Sequence, residues 1–71
     1  MKIKDIYTKH QRVVVLEHRL KTYIYTEHYD EWGGFIMFRF EYDNGEECWD
    51  HPDLLQMARD LIEERDAVNQ A

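Results

Sequence analysis

The most regular spacing of apolar residues lies near the C-terminus, where Leu54, Leu55, Ala58, Leu61, Ile62 and Val68 recur at three- and four-residue intervals. That repeat stacks side chains on one face and predicts a helix over 52–68. Asp50 reads as its N-cap. Pro52 fits the first turn, where a missing N–H costs nothing, and Asp53 stands at the acidic position of a capping-box-like start. Ahead of the helix, Phe35 to Tyr42 is bulky, aromatic and alternating towards its end, as a half-buried strand is, and Asp43-Asn44-Gly45 supplies residues that tolerate positive φ in a tight hairpin. Glu46 to Trp49 then reads as a short return strand. Gly33-Gly34 separates this unit from a β-rich run, Leu20 to Tyr29, and Arg12 to His18, carrying Val13-Val14-Val15, reads as a further strand. The turn near His18 to Lys21 holds neither Gly nor Pro and follows from length alone. Residues 2 to 8 fit two patterns: Ile3, Asp5 and Tyr7 alternate as in a strand, while Ile3, Ile6, Tyr7 and His10 fit a helical turn. Val13, Leu16 and Leu20 also allow a helix over 9–21, but three consecutive valines oppose it.

These elements predict an α+β fold: an antiparallel β-meander of four or five strands with one C-terminal helix packed on one face, forming a single small domain over 1–71. With 71 residues and 8.8 kDa there is no room for a nucleotide-binding α/β fold or a barrel enzyme. A hydrophobic content of 44% is too high for a disordered tail.

One helix covers only one face of such a sheet. If Ile36, Phe38, Phe40 and Tyr42 face the helix, then Phe35, Met37, Arg39 and Glu41 point away. Placing Leu20 and Ile24 inward turns Tyr23, Tyr25 and Tyr29 outward. The expected result is an exposed aromatic patch of Tyr23, Tyr25, Phe35 and Met37, edged by Lys21 and Arg39, of a composition found at protein interfaces. Such a face would bind a partner, pair two copies of the chain, or be covered by the N-terminal segment.

Charge is sorted along the chain. Residues 1–21 carry six cations against Asp5 and Glu17, a balance of +4, and residues 22–71 carry three arginines against thirteen carboxylates, a balance of −10, which gives the net −6. Asp43, Glu46 and Glu47, with Asp50 and Asp53, crowd the hairpin and the helix start, where a helix N-terminus welcomes anions. Asp60, Glu63, Glu64 and Asp66 load the other end of the helix, where they oppose its dipole, although Arg59 and Arg65 interrupt the row. Solubilising charge accounts for many such runs. The functional reading is an acidic ridge that engages a basic, nucleic-acid-binding surface of a larger protein.

Other chemistries are weakly marked. An aromatic sheet face with Lys2, Lys4, Lys9, Arg12, His18, Arg19 and Lys21 would suit a single-stranded nucleic acid, but the net charge repels a polyanion. His10, His18, His28 and His51 lack metal-site spacing, Cys48 is the single cysteine, and on a strand Cys48 and Asp50 share one face while His51 takes the other, so the three do not converge. No catalytic residue, metal or cofactor is expected. The lone cysteine fits a reducing compartment, hence the cytoplasm, and the longest apolar runs, Val13 to Leu16 and Phe35 to Phe38, are too short for a signal peptide or a membrane span. No family motif aligns with the chain. In general character it is similar to small phage-encoded inhibitors of host nucleic-acid machinery, including anti-CRISPR-like proteins, an analogy of type alone.

Overall fold

Successive antiparallel hairpins carry the chain through β1 (Lys2–Tyr7), β2 (Gln11–His18), β3 (Lys21–Tyr29) and β4 (Phe35–Tyr42), hydrogen-bonded in that order. A single helix, α1 (Pro52–Gln70), then packs on one face of the sheet. The computed structural model describes the backbone of residues 1–70 and the side chains of residues 1–67. Val68, assigned above to the inward face of the helix, has its side chain outside the described residues. No helix among the described residues is long and apolar enough to cross a membrane.

Each connection has a local cause. Thr8 closes the first turn, its N–H donating to the Gln11 carbonyl at 2.9 Å and its hydroxyl accepting from the Gln11 N–H at 3.1 Å. The second turn has only two residues, Arg19 and Leu20, at φ of 51° and 66°. In the third, the Asp30 carboxylate accepts the N–H groups of Trp32 and Gly34 at 2.9 and 2.7 Å, an approach that a Cβ at position 34 would obstruct. After β4, Gly45 takes a φ of 90°, and Asn44 Oδ1 accepts the Glu46 N–H at 2.9 Å. Residues 46–49 do not form the expected strand. Their contact with β4 is one bridge, Glu41 to Glu47, with hydrogen bonds from the Tyr42 N–H to the Glu46 carbonyl and from the Cys48 N–H to the Phe40 carbonyl, both 2.8 Å.

Asp50 is not the N-cap of the helix. The His51 carbonyl accepts the first helical N–H, from Leu55, at 3.2 Å, while the Asp50 carboxylate is engaged by the Tyr42 hydroxyl at 2.8 Å. This places Pro52 at the first helical position, which its fixed φ suits.

Cross-strand register sorts the sheet into two faces. Beneath the helix lie the rows Ile3–Leu16–Tyr23–Tyr42, Asp5–Val14–Tyr25–Phe40 and Tyr7–Arg12–Glu27–Phe38. Val14, Leu16, Tyr23, Tyr25, Phe40 and Cys48 are buried there against Leu54, Ala58 and Ile62. Ala58 is fully buried, and its small side chain lets the helix backbone come close to the sheet.

The orientation of β3 is the reverse of the one expected from sequence. Tyr23 and Tyr25 point into the core and Ile24 points away. The two-residue turn sets His18 opposite Lys21, which forces Tyr23 opposite Leu16 and Tyr25 opposite Val14. Leu20 lies in the turn itself, 107% exposed, and does not belong to either face. Burial of the two tyrosines is tolerable because each hydroxyl finds a partner: Tyr23 Oη lies 3.2 Å from His51 Nε2, and Tyr25 donates to Glu27 Oε2 at 2.7 Å.

Candidate functional site

The expected patch of Tyr23, Tyr25, Phe35 and Met37 does not assemble. Tyr23 and Tyr25 are core residues. Met37 is exposed opposite His28 on the face away from the helix. Phe35 is exposed but rotated to the other side, because a register shift between His28 and Tyr29 pairs it with Tyr29, and the two rings meet edge-on with centroids 5.9 Å apart.

A different apolar surface runs along β4 and the loops beside it. Trp32 is 88% exposed and Trp49 73%, and Phe35, Ile36 and Met37 add three consecutive exposed side chains. Met37 and Trp49 share an open hollow of about 370 Å³ with Phe38, Arg39, Phe40, Leu55 and Glu47. The Trp49 indole N–H donates to Glu47 Oε2 at 3.2 Å, which fixes an aromatic ring beside a carboxylate. Neither tryptophan belongs to the patch expected from sequence. The available signal was their position, Trp32 before Gly33-Gly34 and Trp49 between acidic residues, in segments too short and polar to bury an indole.

The acidic residues separate into structural and solvent-facing groups. Asp66 leaves the proposed ridge, since it pairs with Arg12 Nε at 3.2 Å, and the Arg12 guanidinium lies 4.1 Å from the centre of the Tyr29 ring. Asp43, Glu46 and Glu47 beside the hairpin, and Asp53, Asp60, Glu63 and Glu64 on the helix, are exposed. Ion pairs among the described residues join Arg12 to Asp66, Arg39 to Glu41 and Arg65 to Asp5. Arg59 and Arg65, which seem to break the acidic row in the sequence, turn back to the sheet, Arg59 over the Phe38 ring at 4.9 Å and Arg65 over Tyr7 at 5.6 Å. The outer helix face is therefore lined by carboxylates, with no basic residue in the last turn to offset the dipole.

Beneath the helix, Glu27 is a buried carboxyl that accepts hydrogen bonds from both Tyr25 and Tyr29. Burial, and after it the bond to Glu27, raise the Tyr25 hydroxyl well above the usual phenol range and push Tyr29 up to about 12. Because the folded chain holds these protons more tightly than the unfolded chain, the associated stability is complete below pH 10 and is lost as pH rises towards 12. An alkaline titration followed by circular dichroism should show unfolding in that window, and Tyr25→Phe should flatten the decline. A melting temperature independent of pH across the window would contradict this arrangement.

The described residues hold no group of three or more His, Cys, Asp or Glu side chains placed to bind a metal ion. Cys48 is a buried free thiol packed in the core. What the surface offers is contact: an exposed apolar edge along β4 with Trp49 and Glu47 beside it, and exposed carboxylates on the helix. No protein-family model, curated protein or solved structure matches this chain.

Proposed function

We propose that the chain is a small protein-binding module, an inhibitor or adaptor that applies its acidic helix face and the neighbouring Trp49 ridge to a basic surface of a larger protein. The observation that carries this reading is the sorting of the arginines. Arg59 and Arg65 are directed to the sheet and Arg12, on β2, to Asp66, so Asp53, Asp60, Glu63 and Glu64 meet solvent without an ion-pair partner among the described residues. The helix runs on to Gln70, so Asp60, Glu63 and Glu64 stand short of its last turn and do not oppose its dipole; instead Asp60 and Glu64, four apart on one helix face, repel each other, and a basic partner would relieve that cost. A surface that normally receives nucleic-acid phosphates has the complementary charge. Nucleases and CRISPR-type effectors present such surfaces, and a chain acting on them would resemble an anti-CRISPR-like inhibitor working in a reducing cytoplasm. The nucleic-acid-binding alternative loses its stacking platform with the burial of Tyr23 and Tyr25, and the exposed Trp49 lies beside acids that repel phosphate.

The test is charge reversal, Asp60→Lys with Glu63→Lys and Glu64→Lys, in affinity capture from a lysate with identification by mass spectrometry. The intact chain should retain basic proteins, and the variant should retain them at least tenfold less. Its thermal stability should hold, because all three positions are exposed and surface substitutions usually change stability by no more than about 0.5 kcal/mol. Equal capture by both chains would leave the acids as solubilising charge. Salt-sensitive binding of a single-stranded oligonucleotide by the intact chain would favour the alternative.

A further inference from the structure

The face of the sheet away from the helix is arranged in rows of its own. Register places Lys4, Val15, Ile24 and Glu41 in one line across the four strands, with Ile6, Val13, Thr26 and Arg39 in the next. The centre of this face is aliphatic. Its β1 edge is basic, through Lys2 and Lys4, with Glu17 beside Lys2 on β2, and its β4 edge carries Glu41 next to Arg39. Lys2, Lys4, Val15 and Glu17 border a shallow depression of about 530 Å³.

The geometry points to a second copy of this chain as the occupant of that face, stacked sheet to sheet about a two-fold axis that runs parallel to the strands between β2 and β3. Under this operation each row falls on itself in reverse order. Lys4 then meets the other copy's Glu41 at both ends, and Val15 covers Ile24 twice in the middle. The competing two-fold axis, perpendicular to the strands along the same row, sets Lys4 over Lys4 and Glu41 over Glu41. Charge thus selects one arrangement and disfavours the other. Aligned sheets pack about 10 Å apart with their strands about 30° from parallel, a separation that Lys and Glu side chains span from the rim while the β-branched residues meet inside.

Four strands spaced about 4.8 Å apart, each contributing about six residues, present roughly 400–500 Å² per copy, or roughly 900 Å² for the pair. That lies near the lower limit for a specific association, so a dimer in the micromolar range is expected. The acidic helix face proposed above for the basic partner is not consumed, although Met37 lies on the stacked face. Both helices lie outermost, and a pair offers two acidic faces.

The experiment is sedimentation equilibrium of the intact chain, Lys4→Glu, Glu41→Lys and the double exchange, from about 5 to about 500 μM, a range that brackets a micromolar constant. The intact chain should dimerise, either single change should weaken dimerisation at least tenfold, and the double exchange should recover it to within about threefold. Glu41 also pairs with Arg39 at 3.4 Å, so Glu41→Lys carries a local cost. Recovery in the double variant separates the intermolecular pair from that cost. As a second reading independent of any variant, methyl resonances of Val13, Val15 and Ile24 should shift on dilution, and those of Leu54 and Ile62 should not. A monomer at the highest concentration, singles that dimerise as the intact chain does, or a double exchange no better than the singles would overturn the proposal. None of these results bears on capture of a basic protein through Asp60, Glu63 and Glu64.

Discussion

Replacing Tyr25 by alanine is expected to bring the chain close to the point of unfolding. Loss of a buried aromatic ring costs about 3–5 kcal/mol, and a domain of 71 residues has about 4–10 kcal/mol in total at the usual stability per residue. Tyr25 stands at the centre of the sheet opposite Val14 and Phe40, with the Phe38 and Phe40 rings 5.8 and 6.4 Å away. Its hydroxyl is also a donor to the buried Glu27, so the truncation leaves a cavity and removes a hydrogen bond from a carboxyl with little access to water. Tyr25→Phe isolates the second contribution, at about 1–3 kcal/mol. Urea unfolding followed by far-ultraviolet circular dichroism measures both. A Tyr25→Ala chain within about 1 kcal/mol of the parent would mean that the ring is not the centre of the core.

The second large effect has the opposite sign. Arg19 and Leu20 both occupy the left-handed region, a conformation that costs a residue with a Cβ roughly 1–2 kcal/mol. A two-residue hairpin requires it, and Asn-Gly meets the requirement best. Exchanging Arg19-Leu20 for Asn-Gly should stabilise the chain by about 1–2 kcal/mol, after allowance for the greater freedom of glycine when unfolded. No packing is sacrificed, because Leu20 is fully exposed. The same urea series reads the gain, and an unchanged or lower midpoint would place the strain elsewhere.

That turn also explains where the sequence was misleading. The helix and the strands β2, β3 and β4 are legible from their apolar periods, and Asp43-Asn44-Gly45 marks the turn after β4, although the return strand expected beyond it does not form. The orientation of β3 is not legible from Leu20 and Ile24, whose even spacing is imitated by Tyr23, Tyr25 and Tyr29 on the other face. Weighing whole rows resolves it: Thr22, Thr26 and His28 accompany Ile24, whereas the tyrosine row has by far the larger apolar volume, and that volume goes inside. The position of Phe35 could not be read because a bulge breaks alternation at Tyr29. On the acidic side, the carboxylates of Glu63 and Glu64 were visible in the sequence, but the removal of Asp66 by Arg12 was not, since the two residues stand 54 positions apart. Cation–ring contacts of Arg59 and Arg65 depend likewise on which sheet face the helix covers.

Glu27 has one more consequence, for the uniqueness of strand alignment. Sliding β3 by two residues against β2 preserves the inside–outside alternation, so hydrophobic patterning alone does not forbid it. Such a slide towards the middle of the sheet would carry the carboxyl from its place opposite Arg12 to one opposite Val14, among aliphatic and aromatic neighbours. A misaligned isomer would then bury an acid in the driest part of the molecule, at a desolvation cost that no extra apolar contact offsets. A single acidic side chain thereby acts as a key that admits one pairing of the two central strands.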